Sequence, residues 1–191
     1  MSFDRSVTIG ALVVDDFDIV QFDATSLGAN TAGRFSLYFD GNDVELTTSG
    51  EDVDAIELLP DGRLLISTSG SPVVTGVSNG RDEDLLAFTP LTLGDTTSGD
   101  WAMYFEGSDV ELATNSGEDV DAVAIAANGD IYLSTGGLFA VTGVSGDDED
   151  VFVCTPTSLE DITACTYSPT LYFDGSAWGL AANDVDAINL P

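Results

Sequence analysis

Three motifs recur along this chain at nearly one period, and a tandem repeat restricts a fold to similar units packed against one another. The segment LYFDG at residues 37–41 returns as MYFEG at 103–107 and LYFDG at 171–175, so the starts lie 66 and then 68 residues apart. EDVDAI at 51–56 returns as EDVDAV at 118–123 and NDVDAI at 183–188. A third set reads DFDIVQF from Asp16, DEDLLAF from Asp82 and DEDVFVC from Asp148. The period divides the 191 residues into units of approximately 1–51, 52–118 and 119–182, with 183–191 completing the split unit.

Within a unit the apolar runs are short and bounded by turn residues. The pattern predicts a strand over 120–126, a hairpin turn at Ala127-Asn128-Gly129-Asp130 and a returning strand over 131–135. Pro60-Asp61-Gly62 marks the same turn one unit earlier. After a Gly-rich connection comes a third strand over 85–89, stopped by Pro90, with Pro156 in the same part of the next unit. A Thr/Ser/Gly stretch leads to a fourth strand over 101–105, closed by Gly107. No window keeps a helical period. The expectation is an all-β chain of three four-stranded antiparallel units of about 66 residues.

DVDAIELLPDGRLLIST, followed by DLLAFTP and a Tyr-Phe-Asp-Gly strand, resembles the NHL-type β-propeller blade. It is also similar to repeats of large secreted bacterial proteins. The resemblance implies a β-propeller-like arrangement of the units. Three units are fewer than the roughly four to eight blades that close a propeller, so a β-solenoid or a stack of small sheets is the alternative.

Residues 184–191 repeat the first strand of a unit and stop where its hairpin turn is due. Residues 1–4 align on 67–70, at the tail of the returning strand. The last unit is therefore expected to be split between the two termini. A bare strand edge calls for a partner. The N-terminal residues can pair with the C-terminal strand of the same chain, or the pairing can run between copies and give a closed dimer or an open filament. A third reading is a piece of a longer repeat protein. Pairing between copies is the expected one, because three units close poorly.

Charge narrows the partners. The chain has 34 Asp and Glu against 4 Arg, with no Lys or His, for a formal net charge of −30. Such a surface repels nucleic acid and anionic membranes. Self-repulsion on this scale is offset by bound divalent cations, calcium first, or by a salt-rich medium; otherwise the acids are a solvated surface. No run of about 18 apolar residues exists, so no membrane-spanning helix is expected. Residues 1–10 lack the basic and apolar regions of a secretion signal, so either a signal has been removed or export was never involved. Cys154 and Cys165, 11 residues apart, suit a short disulfide and an oxidising compartment, with a free buried pair as the alternative. Together with the resemblance, this points to the outside of the cell or its surface.

Antiparallel order places the starts of strands one and three and the end of strand four on one edge. Six Asp-x-Asp pairs fall there: Asp16 with Asp18, Asp52 with Asp54, Asp82 with Asp84, Asp119 with Asp121, Asp148 with Asp150, and Asp184 with Asp186. Carboxylates at i and i+2 of a strand point the same way and can gather the oxygen ligands that calcium takes. These twelve residues are the candidate metal ligands, and capping of turns by the same aspartates is the competing role. Catalysis is not expected: without His or Lys there is no Ser-His-Asp triad, histidine-zinc site or Schiff base, and every acidic pair is repeated where an active site is single. Tyr38, Tyr104 and Tyr172 recur beside Phe39, Phe105 and Phe173, and Trp178 can stack on a sugar if exposed. The expected function is an extracellular structural or adhesive protein that self-assembles as a homo-oligomer or filament at the split hairpin and is stabilised by cations. The alternative is a calcium-dependent glycan- or ligand-binding propeller.

Overall fold

The computed structural model describes residues 1–190; Pro191, the last residue of the expected terminal strand, lies outside them. The chain is all-β, built of antiparallel sheets with three short 3-10 turns and no α-helix among the described residues. The first unit holds the hairpin β1 (Val7–Ile9) and β2 (Leu12–Val14) and the pair β3 (Ile19–Ser26) and β4 (Ala32–Phe39). The second is the four-stranded sheet β5 (Val53–Leu58), β6 (Leu64–Thr68), β7 (Leu85–Thr92) and β8 (Ser98–Phe105), paired in that order. The third repeats it with β9 (Val120–Ile125), β10 (Ile131–Thr135), β13 (Phe152–Ser158) and β14 (Ala164–Tyr167). Its extra hairpin, β11 (Phe139–Val141) and β12 (Val144–Gly146), is the counterpart of β1 and β2.

Turn chemistry sets the registers. Gly62 and Gly129 sit at φ +89 and +90, and each donates its N–H to the carbonyl three residues back, at Leu59 and Ala126. The two extra residues of the last repeat are taken up after β14. Ser168 donates to Val153, and Phe173 then bridges Val151 as Phe105 pairs with Leu85.

Pro90 and Pro156 do not stop the third strands. β7 and β13 run through them, Pro90 opposite Gly99 and Pro156 opposite Cys165, each beside a register shift. The second strands pair only with Leu86–Phe88 and Phe152–Cys154, so on that side each proline lies beyond the ladder and its missing N–H leaves no gap. Cys154 and Cys165 form a disulfide across β13 and β14.

The apolar cores lie between units. Ile19, Phe39, Val44 and Leu46 of the first unit pack on Ile66, Phe88 and Trp101 of the second. Leu85, Phe105, Val110 and Leu112 of the second pack on Leu133, Phe139 and Phe152 of the third. Among the described residues, no ladder longer than the single bridge of Phe105 to Glu160 joins one unit's sheet to another's. Met1 exchanges both backbone hydrogen bonds with Val20 at 2.9 Å, in the place that Ile66 takes opposite Leu86 and Leu133 opposite Phe152. The N-terminal residues thus lie one position from the expected alignment. Residues 184–190 form no ladder.

Candidate functional site: an acidic cavity between the first strands

The twelve aspartates divide by environment. Asp18, Asp84 and Asp150, the second members of the strand-three pairs, are buried. In each, Oδ2 accepts the N–H of the residue three positions back (Asp15, Arg81, Asp147), at 2.8, 2.9 and 3.1 Å. Oδ1 accepts the N–H of the glycine ending strand four: Gly41 at 3.0 Å, Gly107 at 2.8 Å and Gly175 at 3.0 Å. That glycine is fixed by space, since a Cβ at Gly41, Gly107 or Gly175 would collide with the carbonyl oxygen of Phe17, Glu83 or Glu149. These three aspartates tie strand three to strand four, as the turn-capping role describes. Burial holds the Asp84 carboxyl up at about 7 even against its two amide donors.

The first members of those pairs join one unit to the next through their backbone. The carbonyls of Asp16, Asp82 and Asp148 accept the N–H of Val53, Val120 and Val185 at 3.1, 3.1 and 3.0 Å. This recurring bond seats each D-V-D-A segment against the preceding unit, leaving the Asp16, Asp82 and Asp148 side chains half-buried.

The D-V-D-A aspartates converge on a cavity of about 750 Å³, lined by Asp54, Asp119, Asp121, Asp184 and Asp186, with residues 1–4 on one side. Burial comes first in raising Asp52, Asp54, Asp119, Asp121 and Asp184, and neighbouring carboxylates add to it. Asp52 is pushed to about 6, with Asp16 and Asp4 adding to burial. Asp54 reaches about 7, with Asp119, Asp52 and Asp184 contributing, and Asp119 about 7 beside Asp82. Burial and the facing Asp184 raise Asp121, while Asp184 is raised by its own burial. Asp121 is 8 % exposed, and among the described residues no amide or hydroxyl donates to it; its carboxyl meets that of Asp184, with which it can share a proton, and Asp52 and Asp119 each keep one buried oxygen without a donor. An acid held this way either keeps its proton or takes a cation.

The cavity acids are not a compact ligand cage. Among the described residues, the one group of three acids whose oxygens lie within 4.8 Å of one another is Asp147, Asp148 and Glu149, outside the cavity.

Two working acids, Glu51 and Glu118, were not among the acids expected on the acidic edge. Glu51 accepts from Thr47, Thr48 and Val73, and Glu118 from Thr114, Asn115 and Ala140. Each thereby fastens its own loop to the next unit. The recurrence of Glu51 as Glu118 was the available signal, and it was masked by the denser Asp-x-Asp pattern. Asp43 and Asp109, which strand order places on the acidic edge after strand four, accept from Thr97 and Thr163 at 2.9 and 3.1 Å. Comparison of the chain with protein-family models, with curated proteins and with solved structures finds no match.

Proposed function

We propose that this chain is a non-catalytic, extracellular structural module of propeller-like design, in which the three units surround the D-V-D-A cavity and a divalent cation, calcium first, occupies it. The observation that carries the reading is Asp121, buried without an amide or hydroxyl donor and facing the Asp184 carboxyl in an acid-lined space. A buried carboxylate without a donor costs several kcal/mol unless it is neutralised. A divalent ion neutralises several at once and draws the units together by ligands from more than one of them. The disulfide Cys154–Cys165 supports an oxidising compartment. The same design serves adhesion or filament formation, where a cation that locks units together makes the fold resistant outside the cell.

Calcium titration of chelator-treated protein tests this. Calcium present at about a hundred times its dissociation constant is expected to add about 2.7 kcal/mol to the unfolding free energy. Asp121→Asn is expected to abolish that gain while the metal-free protein melts no lower than wild type. Equal melting with and without calcium, magnesium or manganese at millimolar levels overturns the reading.

A further inference from the structure

Two seams join the units, and they are built alike. In the seam of the first and second units, Gly94 donates to the Tyr38 carbonyl at 2.9 Å, and the Thr97 hydroxyl accepts the Asp40 N–H at 2.9 Å. In the seam of the second and third, Glu160 donates to Tyr104 at 2.8 Å and Thr163 accepts from Glu106 at 2.9 Å. A 3-10 turn following strand four then reaches across. Val44 and Val110 are buried there, at 6 % and 5 % exposure, and their carbonyls accept from Trp101 Nε1 and Tyr167 OH, both at 2.9 Å.

Both halves of a third such seam are present, preformed and uncovered. The first unit's β3–β4 loop carries Gly28 at φ +91 and the Thr31 hydroxyl donating to the Gly28 carbonyl at 2.8 Å. Thr97 and Gly94 make the same local turn at 3.0 Å, as do Thr163 and Glu160. Thr31 nevertheless has no neighbour across it and is exposed, where Thr97 and Thr163 are buried. On the third unit, Leu180 donates to the Gly175 carbonyl at 3.0 Å, as Leu46 does to Gly41 and Leu112 to Gly107. That turn presents Trp178, 78 % exposed, in the position of Val44 and Val110.

The open halves differ from the closed ones in the direction that association between two polyanions requires. Asp43 and Asp109 are replaced by Ala177, Glu45 and Glu111 by Gly179, Glu51 and Glu118 by Asn183, and Asp95 and Asp161 by Ala29. Four carboxylates are thus gone from the surface that would otherwise meet another chain of net charge −30. In their stead the third unit offers the Trp178 ring. The first unit offers Phe22 and Phe35, 4.7 Å apart, only half-buried where the counterparts Phe88 and Trp101 are covered. Leu27, exposed at 76 %, stands where Leu159 packs on the core.

We infer that these two surfaces bind each other between copies: the Trp178 turn of one chain docks on the Phe22, Leu27 and Phe35 face of the next, repeating the internal seam. The occupant is a second copy because the two internal seams display its docking mode and the altered residues on both halves complement each other. The contact is head-to-tail, so it propagates into a filament or closes into a ring. This inference deepens the structural reading above, resting on its repeat arrangement and not on its cation.

Sedimentation equilibrium across micromolar to hundred-micromolar concentrations, with and without chelator, tests it. Concentration-dependent oligomers are expected in both conditions, as rings or filaments. Trp178→Asp is expected to weaken association at least tenfold with an unchanged melting temperature, since Trp178 covers nothing within its own chain. Ala29→Cys and Asp174→Cys, made in separate chains and mixed with a short bismaleimide, are expected to give a linked heterodimer, the native cysteines being bonded. A monomer at every concentration overturns the inference, as does a chain carrying both Ala29→Cys and Asp174→Cys that the same reagent links only within itself. So does a Trp178→Asp variant that associates as wild type does.

Discussion

Asp84 and Asp121 carry the same side chain to opposite ends. Asp84 is fully buried, yet Gly107 and Arg81 each give it an N–H, so removing the carboxylate strands two amides in the interior. Asp84→Ala is expected to lose about 2 to 5 kcal/mol of unfolding free energy, read as a lower urea midpoint. Asp121 has no amide to strand and meets only the Asp184 carboxyl. The two were indistinguishable as letters, each the second acid of an Asp-x-Asp pair. What separates them is the partner glycine 23 residues downstream of Asp84, a contact that sequence spacing does not display. The candidate site was therefore half legible: the convergence of acids on one edge could be read from strand direction, and their division into ties and cavity acids could not.

At the scale of elements, strands with a turn signal on each side were readable, and the D-V-D-A hairpins lie where Asn128-Gly129 and Asp61-Gly62 put them. The prolines misled, because a strand's tolerance for Pro depends on how far its neighbour extends. The hairpin β11–β12 sat unseen in a connection rich in glycine. The disulfide joins a strand to its own partner and closes a loop of 11 residues. Loss of so short a link, by Cys154→Ser with Cys165→Ser, is expected to cost about 2 to 3 kcal/mol, measured by denaturation of the paired variant against wild type. β13 and β14 belong to the third unit, which packs on the second, so the whole transition is expected to shift and no early phase to separate.

For the whole molecule the raised acids set the response to pH. Asp54, Asp84 and Asp119 hold protons up to about 7 in the folded chain, mainly through burial, against about 3.9 for a free aspartate. A folded-state value above the unfolded one means that the fold binds protons more tightly. The stability this contributes is complete below about pH 4 and is lost as pH climbs to about 7. Metal-free protein is expected to melt higher at pH 5 than at pH 8, and calcium to narrow the difference; a metal-free melting point that rises from pH 5 to pH 8 contradicts this. The net charge of −30 acts in the same direction, and salt relieves it.

Because the two larger hydrophobic clusters are shared between units, a peptide covering a single period would leave part of its apolar surface uncovered. Meeting its like would cover that surface. Joining the periods in tandem turns that many-body encounter into an event within one polymer, with the linking segments holding each piece at high local concentration beside its neighbour. In such a molecule each period leans on its neighbour, and a break between two of them uncovers apolar surface on both sides.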